Sequence, residues 1–248
     1  MKVIYILWLR QIKRYYRAKS RIIGSIAQPL LFLLAFGFGF GPIFQKGGGG
    51  NYIQFLVPGI IAMGILFTAV FSGIEIIWDK QFGFLKETLV APVSRLKIMI
   101  GRTLGGGTVA VIQGVIILAV SLFVGFHLPG PHMIILSLIF MALIAFLFAA
   151  LGTVIASLLE DMQGFQLIMN FLLMPLFFLS GALFPLQGLP RVFTIIASMD
   201  PLFYGIEGLR GTLVSGLHLG LFHDFLILSA ITAILFVIGS YLFSKIEI

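Results

Sequence analysis

Charged residues are sparse along this chain, and the gaps between them predict its elements. Residues 22–45, 47–74, 162–190 and 225–244 contain no Asp, Glu, Lys or Arg, and neither does the longer stretch 103–159. A helix that crosses a bilayer needs about 20 consecutive apolar residues. Each of the first four stretches is long enough for one crossing. The fifth is long enough for two, divided by the turn signal His127-Leu128-Pro129-Gly130-Pro131-His132. The pattern therefore predicts an all-α, polytopic membrane protein with six transmembrane helices.

Two regions outside this rhythm carry their own patterns. Along residues 1–21, Ile4, Trp8, Leu9, Ile12, Tyr15 and Tyr16 fall on one helical arc. Arg10, Lys13, Arg14, Arg17 and Arg21 fall on the other. This is the pattern of a basic amphipathic helix lying at the membrane interface. Residues 184–223 stay apolar but are broken by Pro185, Pro190, Pro201, Arg191, Asp200, Glu207 and Arg210. They read as a re-entrant pair of short helices between spans five and six, since irregular backbone at membrane depth must be enclosed by protein or water.

Composition agrees: 60% of the residues are hydrophobic, only 10% are charged and mean hydropathy is +1.13. Soluble domains carry about 25% charged residues, so a water-soluble globule is excluded. The net charge of +7 is distributed unevenly. Thirteen Lys and Arg fall before span one, between spans two and three, and after span six, against three on the opposite side. The positive-inside rule then places both termini in the cytoplasm of a cell membrane protein. The same asymmetry accounts for the basic charge without nucleic acid. The first apolar run is long for a signal peptide and lacks a small-x-small cleavage site, so it is expected to be a retained span.

The chemistry-bearing motifs are few. The chain has no cysteine and no Gly-Lys pair, so it contains no phosphate-binding loop of the Walker type. No metal site is expected from His127, His132, His218 and His223, two pairs at a spacing poor for one helical face. No catalytic triad can be assembled, and no acid stands at mid-span as an ion-coupled carrier would need. Gly37/Gly41 and Gly101/Gly105 have the spacing of close helix packing. Glu75, near the cytoplasmic end of span two, reads either as an interfacial acid paired with Lys80 or Arg102, or as a coupling acid that transmits motion.

The largest polar feature between spans is Asp79-Lys80-Gln81-Phe82-Gly83-Phe84-Leu85-Lys86-Glu87-Thr88-Leu89-Val90-Ala91-Pro92-Val93-Ser94-Arg95. Phe82, Leu85 and Leu89 share one stripe. Such a stripe facing the cytosol suits cover by a soluble partner.

With that segment the chain resembles the ABC-2 type permeases, the membrane subunits of ABC exporters. Phe55-Leu56-Val57-Pro58-Gly59-Ile60-Ile61-Ala62-Met63 carries part of the likeness, and the segment from Gly83 to Arg95 carries a second part. The third and most specific part runs from Phe178-Leu179-Ser180-Gly181-Ala182-Leu183-Phe184-Pro185 to Asp200-Pro201-Leu202-Phe203-Tyr204-Gly205-Ile206-Glu207-Gly208-Leu209-Arg210. The family often has Asn where this chain has Asp200.

The resemblance implies a single transmembrane domain over residues 1–248, with an interfacial helix at 1–21, a cytoplasmic coupling segment at 79–100 and an outer hairpin at 184–223. It also implies two separate ATPase subunits, which bind the ATP and Mg, and a second permease copy forming a homodimer in the bilayer. This chain itself is expected to bind no cofactor and to perform no catalysis. Gln81, Phe82, Leu85, Lys86, Glu87, Leu89 and Arg95 are the expected ATPase contacts. Phe184, Pro185, Pro190, Asp200, Pro201, Glu207 and Arg210 are the expected gating residues of the hairpin. The expected activity is outward movement of an amphipathic or lipid-linked substrate (a drug, glycolipid or polysaccharide). The alternative is a secondary carrier or channel that works without an ATPase.

Overall fold

The computed structural model describes residues 2–47, 50–83, 93–186, 188–214 and 220–245. Among these there are ten helices and no strand: α1 (Lys2–Arg17), α2 (Lys19–Lys46), α3 (Tyr52–Phe71), α4 (Ile74–Gln81), α5 (Arg95–Phe123), α6 (Pro131–Leu158), α7 (Met162–Leu179), α8 (Arg191–Met199), α9 (Pro201–Leu213) and α10 (Leu221–Ser244). Six spans are long and apolar enough to cross a membrane, with α3 and α4 forming one of them. The chain is a multi-pass membrane protein.

The span boundaries differ from the charge gaps for local reasons. Span two begins at Tyr52 because the Asn51 side chain accepts a hydrogen bond from the Ile53 amide and caps the helix. It runs on to Gln81, past a break at Ser72-Gly73. Span three starts at Arg95, so residues 95–100 of the expected coupling segment are helix α5, and residues 79–81 belong to α4. Span five stops at Leu179, well short of Pro190. There Gly181 turns the chain at φ +75°, a conformation that an L side chain resists.

Span two is the centre of the bundle. In its most apolar window 72% of residues are buried, against 11–22% in α2, α7 and α10. α3 packs against α2, α5, α6 and α9. Where α6 crosses the α3/α4 break the backbones touch, since a Cβ on Gly73 would lie 2.6 Å from the Gly152 carbonyl carbon.

α1 does not simply lie on the membrane. It packs lengthwise on α5. Trp8 Nε1 donates to Thr108 Oγ1 at 3.0 Å, and Tyr15 Oη donates to Gln113 Oε1 at 2.7 Å. Gly101 and Gly105 make this approach possible: a Cβ on Gly105 would stand 2.6 Å from the Gln11 side chain. The buried stripe is Leu7, Gln11 and Tyr15, and Tyr16, expected to be an anchor, is 78% exposed. The helix ends at Arg17, and Lys19 already belongs to α2. Gly41 meets nothing within 4 Å, so the Gly37/Gly41 spacing marks no close contact among the described residues.

Candidate functional site

Two polar clusters interrupt the apolar bundle, one at each end. The first joins α1, α4 and α5. Arg102 and Arg10 both bind Asp79: Arg102 is buried and makes a close hydrogen bond to Oδ2, and Arg10 forks onto both oxygens at 3.3 and 3.4 Å. One turn earlier on α4, Glu75 pairs with Arg14 at 3.5 Å. The expected partners of Glu75, Lys80 and Arg102, are engaged elsewhere. Lys80 Nζ donates to the carbonyls of Ala156, Ser157 and Leu159 at 3.0–3.2 Å, satisfying the C-terminal end of α6. Glu75 finds Arg14 because α1 lies beside α4's neighbour α5, an arrangement that local spacing does not encode.

The expected partner-contact residues divide into three groups. Gln81 and Phe82 are exposed at the end of α4, and Gln81 Nε2 donates to the Glu160 carbonyl at 3.3 Å. The ring of Phe82 lies 5.8 Å from that of Trp78. Arg95, at the start of α5, donates to the Ser244 carbonyl at 2.6 Å and so ties α5 to the end of α10. Leu85, Lys86, Glu87 and Leu89 lie outside the described residues.

The second cluster is the hairpin. α8 and α9 meet at 93° across Asp200. Asp200 caps α9 by accepting from the Leu202 amide at 2.8 Å, and Pro201 fills the first helical position, where its missing N–H leaves nothing unpaired. α9 packs antiparallel to α6, with Gly205 against Ile144 and Gly208 against Phe140. Phe140 is nine residues into α6, about 14 Å along its axis, so the hairpin penetrates the bundle.

Arg210 is the knot of this end. It bonds Glu207 at 2.9 Å, donates to the Gly181 carbonyl at 3.1 Å and sits 4.0 Å over the Phe55 ring. It thus joins α9 to α3 and to the turn after α7. Tyr52 reinforces the joint by donating to the Leu183 carbonyl at 2.9 Å. Phe184 is half exposed with its ring edge-on to Phe40 at 6.5 Å, and Pro185 and Pro190 stand in the connecting loop.

The sequence reading missed Asp224. Span six begins at Leu221, four residues earlier than the charge gap, so this acid lies in the first turn of α10. It is fully buried, and neither of its carboxylate oxygens has a hydrogen-bond partner among the described residues, with His223 the nearest cation-forming group at 3.8 Å. An acid in the first turn of an apolar helix, where the helix dipole favours negative charge, was the available signal. Asp200, Glu207 and Asp224 are all buried, the first two in the hairpin and the third in the first turn of α10, away from mid-span. Among the described residues no three His, Asp or Glu side chains converge as metal ligands would.

Known proteins resemble this arrangement over most of its length. Residues 2–214 match the ABC-2 type transporter family. A putative transport permease, ycf38, of Cyanophora paradoxa is 32% identical over 84% of this chain and 72% of its own length. The inner membrane transport permease YadH of Escherichia coli is 28% identical, with 82% and 80% covered. Nodulation protein J of Sinorhizobium fredii is 27% identical, with 82% and 79% covered. With six spans, a bent helix pair between the fifth and sixth, and a family match over residues 2–214, this protein belongs to the ABC-2 type transporter family.

Proposed function

We propose that the chain is the membrane-spanning subunit of an ATP-driven exporter, with both termini in the cytoplasm of the cell membrane and a second copy completing the path. A separate ATPase docks on the segment that leaves α4 at Gln81 and returns at Arg95, with Phe82 and Leu85 as its apolar plug and Lys86, Glu87 and Arg95 as polar contacts. The cargo is an amphipathic or lipid-linked molecule. The chain itself performs no catalysis, so the energy enters through the partner's different affinity for nucleotide in its two states.

One observation supports this reading above the others. The helix that delivers the docking segment is bound to three other helices: to α1 through Arg10 and Arg14, to α5 through Arg102 and to α6 through Lys80. A push on that segment therefore displaces several helices as one body. A free-standing carrier would have no use for such a frame.

Replacing Leu85 with Asp should abolish co-purification of the partner ATPase, and recovery at the wild-type level would refute the docking assignment. In vesicles holding both proteins, export should require ATP. Flux by this chain alone, driven by an ion gradient, would instead establish the carrier reading. A tag within residues 47–50 should react with an impermeant reagent on intact cells. Labelling only after permeabilisation would invert the topology.

A further inference from the structure

Between the end of α1 and the facing sides of α2 and α3 lies a half-open cavity of about 270 Å³. Its volume equals that of roughly nine liquid waters at ~30 Å³ each. Tyr15, Ser25, Gln28 and Thr68 contribute its polar groups, and Phe67 and Phe71 its apolar wall. Among the described residues no Asp, Glu, Lys or Arg lines it, although an ion-pair cluster begins at Glu75, one turn beyond Phe71. Behind the polar side stands Gln113, fully buried on α5. Its Oε1 accepts from Tyr15 at 2.7 Å and from Ser25 at 3.1 Å, both of which line the cavity. Its Nε2 has no hydrogen-bond partner among the described residues.

A buried amide donor left without an acceptor is costly, and partners are normally found for such groups. The walls are suited to an apolar body, the hydroxyl and amide groups to acceptor oxygens, and the lack of a counter-charge disfavours any ionised headgroup, whose desolvation would go uncompensated.

We propose that this cavity binds an uncharged amphiphile entering from the inner leaflet. Its hydroxyl, ether or carbonyl oxygen accepts from Gln113 Nε2, whose amide Tyr15 and Ser25 orient, and from the Thr68 hydroxyl, and its apolar part lies along Phe67 and Phe71. Binding rests on the cavity alone. Its meaning as selection of neutral cargo rests on the exporter reading above.

The test uses the full-length protein in phosphatidylcholine vesicles and a monoacylglycerol carrying a photoreactive diazirine. The same acyl chain bearing a phosphate or a trimethylammonium head serves as comparison. The neutral probe should label peptides containing residues 24–29 and 63–71. Gln113→Met and the isosteric Thr68→Val should each weaken labelling roughly fivefold to tenfold, the loss of about one hydrogen bond. Should Gln113→Met fail to fold, Thr68→Val decides. Labelling by the charged probes at equal strength, labelling elsewhere only, or wild-type labelling of both variants would overturn the proposal. ATP-dependent export is followed in parallel. No neutral-probe labelling of the wild-type protein, with ATP-dependent export of other cargo intact, refutes only this site, and labelling without ATP-dependent export refutes only the exporter reading.

Discussion

The two ends of the bundle keep buried charge by opposite means. At the end formed by α1, α4 and α5 three arginines, Arg10, Arg14 and Arg102, surround two acids, Glu75 and Asp79. At the hairpin end one arginine, Arg210, serves a region that buries Glu207 and Asp224 together. Cations are in excess in the first cluster and acids in the second, where Glu207 Oε2 and both Asp224 oxygens have no hydrogen-bond partner among the described residues. A cluster with a spare partner tolerates losses and moves as a unit. A cluster that depends on one side chain releases as soon as that side chain lets go. The contrast assigns rigidity to the end where a partner would push and lability to the end where cargo would leave.

The largest effect should follow removal of the irreplaceable cation. Arg210→Met leaves Glu207 buried without a counter-ion and should cost about 3–5 kcal/mol, read as a lowered unfolding temperature in detergent micelles. Arg102→Met should cost less, about 1–3 kcal/mol, because Arg10 still holds Asp79. Equal losses in the two variants would erase the contrast. Asp224→Asn should act with the opposite sign and raise stability by about 1 kcal/mol, since it removes an uncompensated buried charge. Destabilisation of the same size would mean that Asp224 is paired. The smallest change is expected for Arg14→Gln. This arginine is partly exposed, so its contribution should stay below about 1 kcal/mol and vanish at high salt.

Much of the fold was legible because membrane spans are written as gaps between charges, and the five gaps hold the six spans. Their ends were less legible. The turn at Gly181 cuts span five short inside an apolar run, so hydropathy alone passes over it. Span three extends back to Arg95, where Arg95 and Arg102 bond to the Ser244 carbonyl and Asp79, both outside this helix. The hairpin was legible from its prolines and charges, and Glu207 and Arg210 do pair at the i, i+3 spacing. The partner of Glu75 was not legible, since it depends on where Gly101 and Gly105 let α1 settle. The role of Lys80 was hidden for a related reason: its acceptors are backbone carbonyls, which leave no mark in side-chain identity.

The contact between Gly73 and Gly152 has a mechanical consequence. Two main chains meet there with no side chain between them, so α6 and span two pass as close as helices can where α4, the short arm of span two, gives way to the long arm α3. A single methyl group added to either glycine would meet backbone rather than a movable side chain and would wedge the crossing apart.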